Sequence, residues 1–171
     1  MSEHDPEATT PDPSTRSTPD AARAAEALKG ADRLDLATVA AGLVAFVASL
    51  MPYYTVSVKG FGGDSATAWH GFFGWFGAVC ALAAAIVLVL KIVGIALPVP
   101  VRTLVLGLFG LATACTILAL FVFPGGGCDD GTFMADSVCD MIDQGHGIGY
   151  WLALLSVGAG TALAAMRRGA E

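Results

Sequence analysis

Apolar and polar positions alternate along the chain in long blocks. Four stretches, Leu36 to Tyr54, Phe72 to Leu90, Thr103 to Phe123 and Ile148 to Met166, are 19 to 21 residues long and contain no Asp, Glu, Lys, Arg or His. At ~1.5 Å of rise per residue each would cross a hydrocarbon layer of ~30 Å. Lipid offers the backbone no hydrogen-bond partners, so each block must satisfy its own amides and carbonyls as a helix. The pattern therefore predicts four transmembrane helices over residues 34–171.

Between the first two blocks, "TVSVKGFGGDSATAWHG" alternates around a glycine-rich centre, the period-two signature of a β-hairpin. Between the last two, "TFMADSVCDMID" places Asp136, Asp140 and Asp143 at i, i+4 and i+7. Met134, Val138, Met141 and Ile142 fall on the opposite side. That spacing predicts a short amphipathic helix, closed by Gly145, whose apolar face rests on the bundle or hairpin. Pro98 and Pro100 in "KIVGIALPVPVR" predict a broken turn between the second and third helices. The first 33 residues read differently. Residues 1–18 are rich in Pro, Ser, Thr, Asp and Glu and predict a disordered tail. A short juxtamembrane helix over "PDAARAAEALK" follows and ends at Gly30. No apolar core opens the chain, so the first span is expected to be retained rather than cleaved.

Composition agrees with the pattern, since 55% of the 171 residues are hydrophobic and 14% charged. The distribution of cations adds orientation. Arg16, Arg23, Lys29 and Arg33 precede the first block, Lys91 and Arg102 separate the second from the third, and Arg167 and Arg168 follow the fourth. Only Lys59 lies in the other loops. The positive-inside rule then predicts a multi-pass plasma-membrane protein with both termini cytoplasmic and the loops 55–71 and 124–147 outside.

That placement governs the chemistry of "GGGCDDGTFMADSVCDMIDQGHG". Cys128 and Cys139 lie on the oxidising side, with ten residues between them, and are expected to form a disulfide that stabilises by ~3 kcal/mol in the chain-entropy model. Asp129 and Asp130 suit a turn. Cys80 and Cys115, inside helices, are expected to be small packing residues. A metal set would draw on Asp64, His70, Asp136, Asp140, Asp143 and His146, but their spacing matches no metal motif. His70 and His146, beside Trp69, Tyr150 and Trp151, fit an interfacial aromatic belt. Glycines at three- and four-residue spacing, including Gly71, Gly74, Gly77, Gly107, Gly110, Gly149, Gly158 and Gly160, are expected at seams between helices.

The fold class expected is an all-α membrane protein. It is a four-transmembrane-helix bundle with a small extracellular cap, made of a β-hairpin loop plus a short disulfide-tied helix, and a disordered cytoplasmic tail. Spans without ionisable groups argue against a proton-coupled transporter or an intramembrane enzyme. No catalytic residues, cofactor or nucleic-acid partner are expected. The leading functional expectation is a non-enzymatic envelope subunit or scaffold that meets a membrane or envelope partner through Asp136, Asp140, Asp143 and Trp69. One alternative is an oligomeric pore or accessory transporter subunit, a homo-oligomer lined by hydroxyls such as Thr113, Thr116, Ser156 and Thr161. Another is an outer-face metal or ligand sensor.

With "SLMPYYTVSV", "SATAWHGFFGWFG" and "GHGIGYWLALLSVGAGTALAA" in this layout, residues 33–168 resemble small uncharacterised four-span membrane proteins of actinobacteria. The resemblance implies layout and brings no activity or site residues. In outline the chain also looks claudin-like, although its first loop lacks the claudin W…C…C arrangement.

Overall fold

The computed structural model describes residues 26, 27, 29–58, 60, 62–122 and 142–169. Four long helices and three strands occur in the order α1 (Arg33–Ser49), β1 (Tyr54–Val58), β2 (Gly62–Ala66), α2 (Phe72–Ile92), α3 (Val101–Leu118), β3 (Ile142–His146) and α4 (Ile148–Gly169). A 3-10 turn, Ala68–His70, leads into α2. Three helices, α2, α3 and α4, are long and apolar enough to cross a membrane. The first is shorter, at 17 residues.

The span expected over Leu36 to Tyr54 is therefore corrected at its far end. Pro52 has no N–H to donate and disfavours helical geometry at Met51, so α1 stops at Ser49. Tyr53 and Tyr54 leave the helix and enter the sheet region instead. At its start, α1 is capped by Asp32, whose carboxylate accepts from the Leu34 N–H at 3.1 Å. Residues 26, 27, 29 and 30 are helical, which is the described part of the expected juxtamembrane helix.

Each helix packs on its chain neighbours, and α4 returns to α1, closing an up-down-up-down ring. The turn between α2 and α3 is built as the prolines suggest. Gly94 has φ +88, its N–H donates to the Lys91 carbonyl at 3.0 Å, and that of Ile95 donates to the Leu90 carbonyl at 3.0 Å. This pair of bonds is a Schellman closure of α2, and Pro100 then precedes the first residue of α3.

Inside the ring the side chains are small. Ala45, Ala81, Ala84, Ala85, Ala112 and Ala164 are buried, and a Cβ added at Gly42 would stand 2.7 Å from the Ala81 carbonyl oxygen. Such residues let helix backbones approach closely, the packing that works where lipid removes the hydrophobic drive between helices. Larger groups, Val39, Leu88, Val105, Val157 and above all Phe109, fill what they leave. Phe109 of α3, fully buried, reaches across the ring, its ring lying where a side chain at Gly160 of α4 would otherwise stand and its tip coming within contact of Gly42 of α1. Cys80 and Cys115 are buried free thiols, as their apolar settings predict.

Not every glycine serves a seam. Gly74, Gly77, Gly149 and Gly160 face close neighbours, whereas Cβ atoms added at Gly107, Gly110 and Gly158 would meet nothing within 4 Å. For these three the expected seam role is corrected, because their helix faces turn away from the ring.

The three strands form one antiparallel sheet in the order β2-β1-β3. The expected hairpin is present, with Gly60 and Gly62 at φ +88 and +98 in its turn. The third strand replaces the end of the expected amphipathic helix. Asp143 pairs with Ser57, Gly145 with Thr55 and His146 with Tyr54, so Gly145 sits within a strand and closes no helix. Backbone bonding to β1 outweighs the helical spacing of the aspartates, since a two-stranded ribbon gains most from a third strand. Asp136, Asp140, Cys128 and Cys139, with the disulfide expected of the last two, lie outside the described residues.

Phe109→Ala should empty the centre of the ring without disturbing the sheet. A loss of ~3–5 kcal/mol is expected, measurable as an earlier unfolding midpoint of detergent-purified protein, with helicity at low denaturant unchanged.

Candidate functional site

Chemistry-bearing residues collect at the two ends of the ring, and the sheet marks one of them. Its attachment begins in the backbone. The Gly147 N–H donates to the Tyr53 carbonyl at 2.9 Å and the Gly149 N–H to the Pro52 carbonyl at 3.0 Å. A side chain on either glycine would run into the Pro52 carbonyl. On the other side of β1, the Tyr53 N–H donates to Ala66 at 2.8 Å.

The lowest rung of the sheet, Ala66–Tyr54–His146, rests on the helices. Tyr53, Tyr54 and Tyr150 are buried beneath it, with ring centroids 5.0 Å apart for Tyr53 and Tyr54 and 5.2 Å for Tyr53 and Tyr150. Edge contacts of this kind add to the burial of the rings. The Tyr150 hydroxyl donates to the Thr116 carbonyl at 3.2 Å, which joins α4 to α3. His146 lies 4.3 Å from Tyr150, centroid to centroid, and its Nε2 is 3.3 Å from the Ala119 carbonyl oxygen. The imidazole is thus part of the seat of the sheet.

Farther from the helices the sheet is open. Side chains alternate along a strand, so Val56 shares a face with its partners Asp64 and Gln144, while Ser57, Gly63 and Asp143 lie on the opposite face. All six are exposed, Val56 at 38%. Two acids and an unburied valine therefore stand on a strip that little packing supports.

This geometry separates the metal candidates. Asp143 and His146 are three positions apart on one strand, and so point to opposite faces. His70 sits in the 3-10 turn with Nδ1 3.4 Å from Thr67 Oγ1. Among the described residues no three His, Cys, Asp or Glu side chains come close enough to hold a metal ion. Trp69 is half-exposed and donates to Ser49 Oγ at 3.3 Å, with its ring edge-on to Phe46. With Phe72, Phe121 and Trp151, all exposed, it forms an aromatic collar at the sheet end.

The opposite end is charged, and sequence reasoning missed its organisation. Asp32 and Asp35, one turn apart at the start of α1, both pair with Arg167 near the end of α4. The Asp35 carboxylate accepts from Arg167 Nη2 at 2.8 Å. Thr38, Lys91 and Arg102 share with Asp35 and Arg167 a small cavity of about 20 Å³, room for about one water. The signal was available: antiparallel α1 and α4 bring the beginning of one beside the end of the other, so acids at 32 and 35 meet a cation at 167.

The Asp32 carboxyl is held below its ordinary 3.8 by the Leu34 N–H and then by Arg167. A depressed folded value means that the contact stabilises above 3.8 and is lost as pH falls through the lowered value. Carbon-detected NMR should therefore place the Asp32 midpoint below 3.8 in the folded protein, and Arg167→Gln should raise it.

The hydroxyls expected to line a pore are bonded locally. Thr113 and Thr161 lie 2.9 Å apart, and Thr116, Ser156 and Thr161 each donate to the carbonyl four residues earlier. No protein-family model, curated protein or solved structure matches the chain.

Proposed function

We propose that this chain is a non-enzymatic subunit or scaffold of a bacterial plasma-membrane assembly, which engages an envelope partner through the open strip of its sheet. The carrying observation is that the rungs Asp64–Val56–Gln144 and Gly63–Ser57–Asp143 are exposed on both faces, while among the described residues the sheet meets the helices at its lowest rung. Burial stabilises the anchored rung and leaves the outer ones unexplained, and a thin antiparallel strip gains stability from an added contact. Of the partner surface expected at Asp136, Asp140 and Asp143, the last lies on the sheet, and Asp64 adds a second acidic position on its other face. Trp69 borders it from the aromatic collar.

Two further observations support a binding role over a conducting one. Phe109 is fully buried inside the ring, and the buried hydroxyls of Thr116 and Ser156 are taken up by carbonyls of their own helices. Ionisable side chains of the helices stand only at the end away from the sheet, where they do not face a path through the centre.

The proposal includes orientation. Arg33, Lys91, Arg102, Arg167 and Arg168 share one end and the aromatic collar the other, a polarity that sets the charged end in the cytoplasm by the positive-inside rule. In cells, with Cys128 and Cys139 replaced by serine, a membrane-impermeant maleimide should label Ser57→Cys and spare Val99→Cys. Labelling in the reverse order would invert the topology and remove the sheet from the envelope side.

A photoreactive residue at Val56 tests the partner surface. It should give discrete protein adducts in cells that disappear when Asp64 and Gln144 are both replaced by lysine. The same probe at the exposed Leu155 reports random neighbours within the membrane. Identical adducts from the two positions, or adducts indifferent to the lysines, would count against a partner on the sheet.

A further inference from the structure

The connection between α2 and α3 carries a surface at odds with its place in the chain. At 21 residues and ~31 Å, α2 by itself matches a hydrocarbon layer of ~30 Å. Residues 93–100 follow it and so begin where that layer ends. A connection standing in water would ordinarily carry polar side chains, yet this one is Val-Gly-Ile-Ala-Leu-Pro-Val-Pro and has none. The fold leaves its apolar groups open. Val93, Ile95 and Val99 are 44%, 50% and 44% exposed, Ala96, Pro98 and Pro100 are exposed as well, and Leu97 alone is half-buried. A continuous apolar patch of this kind marks a contact surface.

Two observations identify what covers it. The first is continuity with the outer side of α3. Val99 and Pro100 line one apolar groove of about 420 Å³ with Thr103, Leu104, Gly107 and Leu111. Those four α3 positions recur on one face, are all exposed, and belong to a helix apolar enough to cross a membrane. The end of the loop therefore continues a surface that acyl chains cover along the span. The second is the backbone. Irregular backbone is excluded from hydrocarbon because its amides find no partners there, and this loop has few such amides. The Val93, Gly94 and Ile95 N–H groups donate to the carbonyls of Val89, Lys91 and Leu90 at 2.9, 3.0 and 3.0 Å, and Pro98 and Pro100 have no N–H. Its demand for water thus falls mainly on carbonyls, which the boundary between headgroups and acyl chains can hydrate.

We infer that residues 93–100 form an interfacial anchor, which lies in the headgroup–acyl boundary of the adjoining leaflet and seats Ile95 and Val99 among the first acyl carbons. Apolar groups at that depth hold a segment against the bilayer without crossing it. Lipid is the favoured occupant because it covers both the loop and the groove that continues it into the span, whereas a soluble partner would cover the loop alone. The inference is independent of the partner surface on the sheet and holds for either orientation of the chain. It requires only that the helices lie in a bilayer.

Spin-label accessibility of the full chain in phosphatidylcholine nanodiscs, which leave both faces of the bilayer open, tests the depth. Cys128 and Cys139 are replaced by serine, the buried Cys80 and Cys115 are kept, and one label is attached through Ile95→Cys or Val99→Cys. Ser57→Cys on the open sheet is the reference for water, and Leu111→Cys on the outer side of α3 the reference for hydrocarbon. At Ile95 and Val99, oxygen should relax the label severalfold more effectively than a water-soluble nickel chelate does, with a ratio between those of the two references. Ile95→Asp should draw the loop outward and raise nickel access at Val99 severalfold while helicity stays unchanged. A ratio equal to that at Ser57 would overturn the inference, since the loop would then stand in water, open to a soluble partner. Low access to both reagents would overturn it as well, because protein would then cover the loop, a second copy if dilution with lipid restores access. So would a Val99 label indifferent to Ile95→Asp, which would show that the label and not the loop had sought the lipid.

Discussion

The pair of hydrogen bonds from Gly147 and Gly149 to the carbonyls of Tyr53 and Pro52 holds the architecture together. Proline ends α1 and presents its carbonyl outward, and only glycine lets the start of α4 come close enough to use it. One short junction thereby places α1 beside α4, which closes the ring, and β1 beside β3, which widens the hairpin to three strands. The two outcomes are linked. A displacement at Pro52 would part the sheet and open the ring together.

Above and below that junction the chain solves two different packing problems. Within the ring, alanine and glycine bring backbones near, and Phe109 with Val39, Leu88, Val105 and Val157 occupies the remaining space, so the contact is made by shape. At the sheet end, tyrosines supply both bulk and a hydroxyl, as Tyr150 does for the Thr116 carbonyl. At the charged end, Arg167 ties together two acids at the start of α1. The ring is therefore sealed at its centre, and its recognisable surfaces lie at the ends.

Much of this was legible in the sequence, and the failures have physical causes. Blocks of apolar residues located the helices because backbone bonding in lipid is local. The hairpin was legible because alternation about glycine is local too. The stretch Ile142–His146 was misread because Asp136, Asp140 and Asp143 happen to repeat at helical intervals, whereas its true partner is a strand about ninety residues earlier, which no local period reveals. Asp32 and Asp35 were overlooked for the same reason, since their cation comes from the far end of the chain. Gly107 shows the converse. Its spacing matched that of seam glycines, and only the fold tells which way a helix face turns.

The shortness of α1 has a mechanical consequence for the surrounding bilayer. At 17 residues it is ~25 Å long and α3, which faces it across the ring, ~27 Å, while α2 reaches ~31 Å and α4 ~33 Å. Short and long helices therefore alternate around the ring instead of grading from one flank to the other. In a bilayer such a rim would give the surrounding lipid two low sectors on opposite sides, which local thinning accommodates better than a tilt of the whole body.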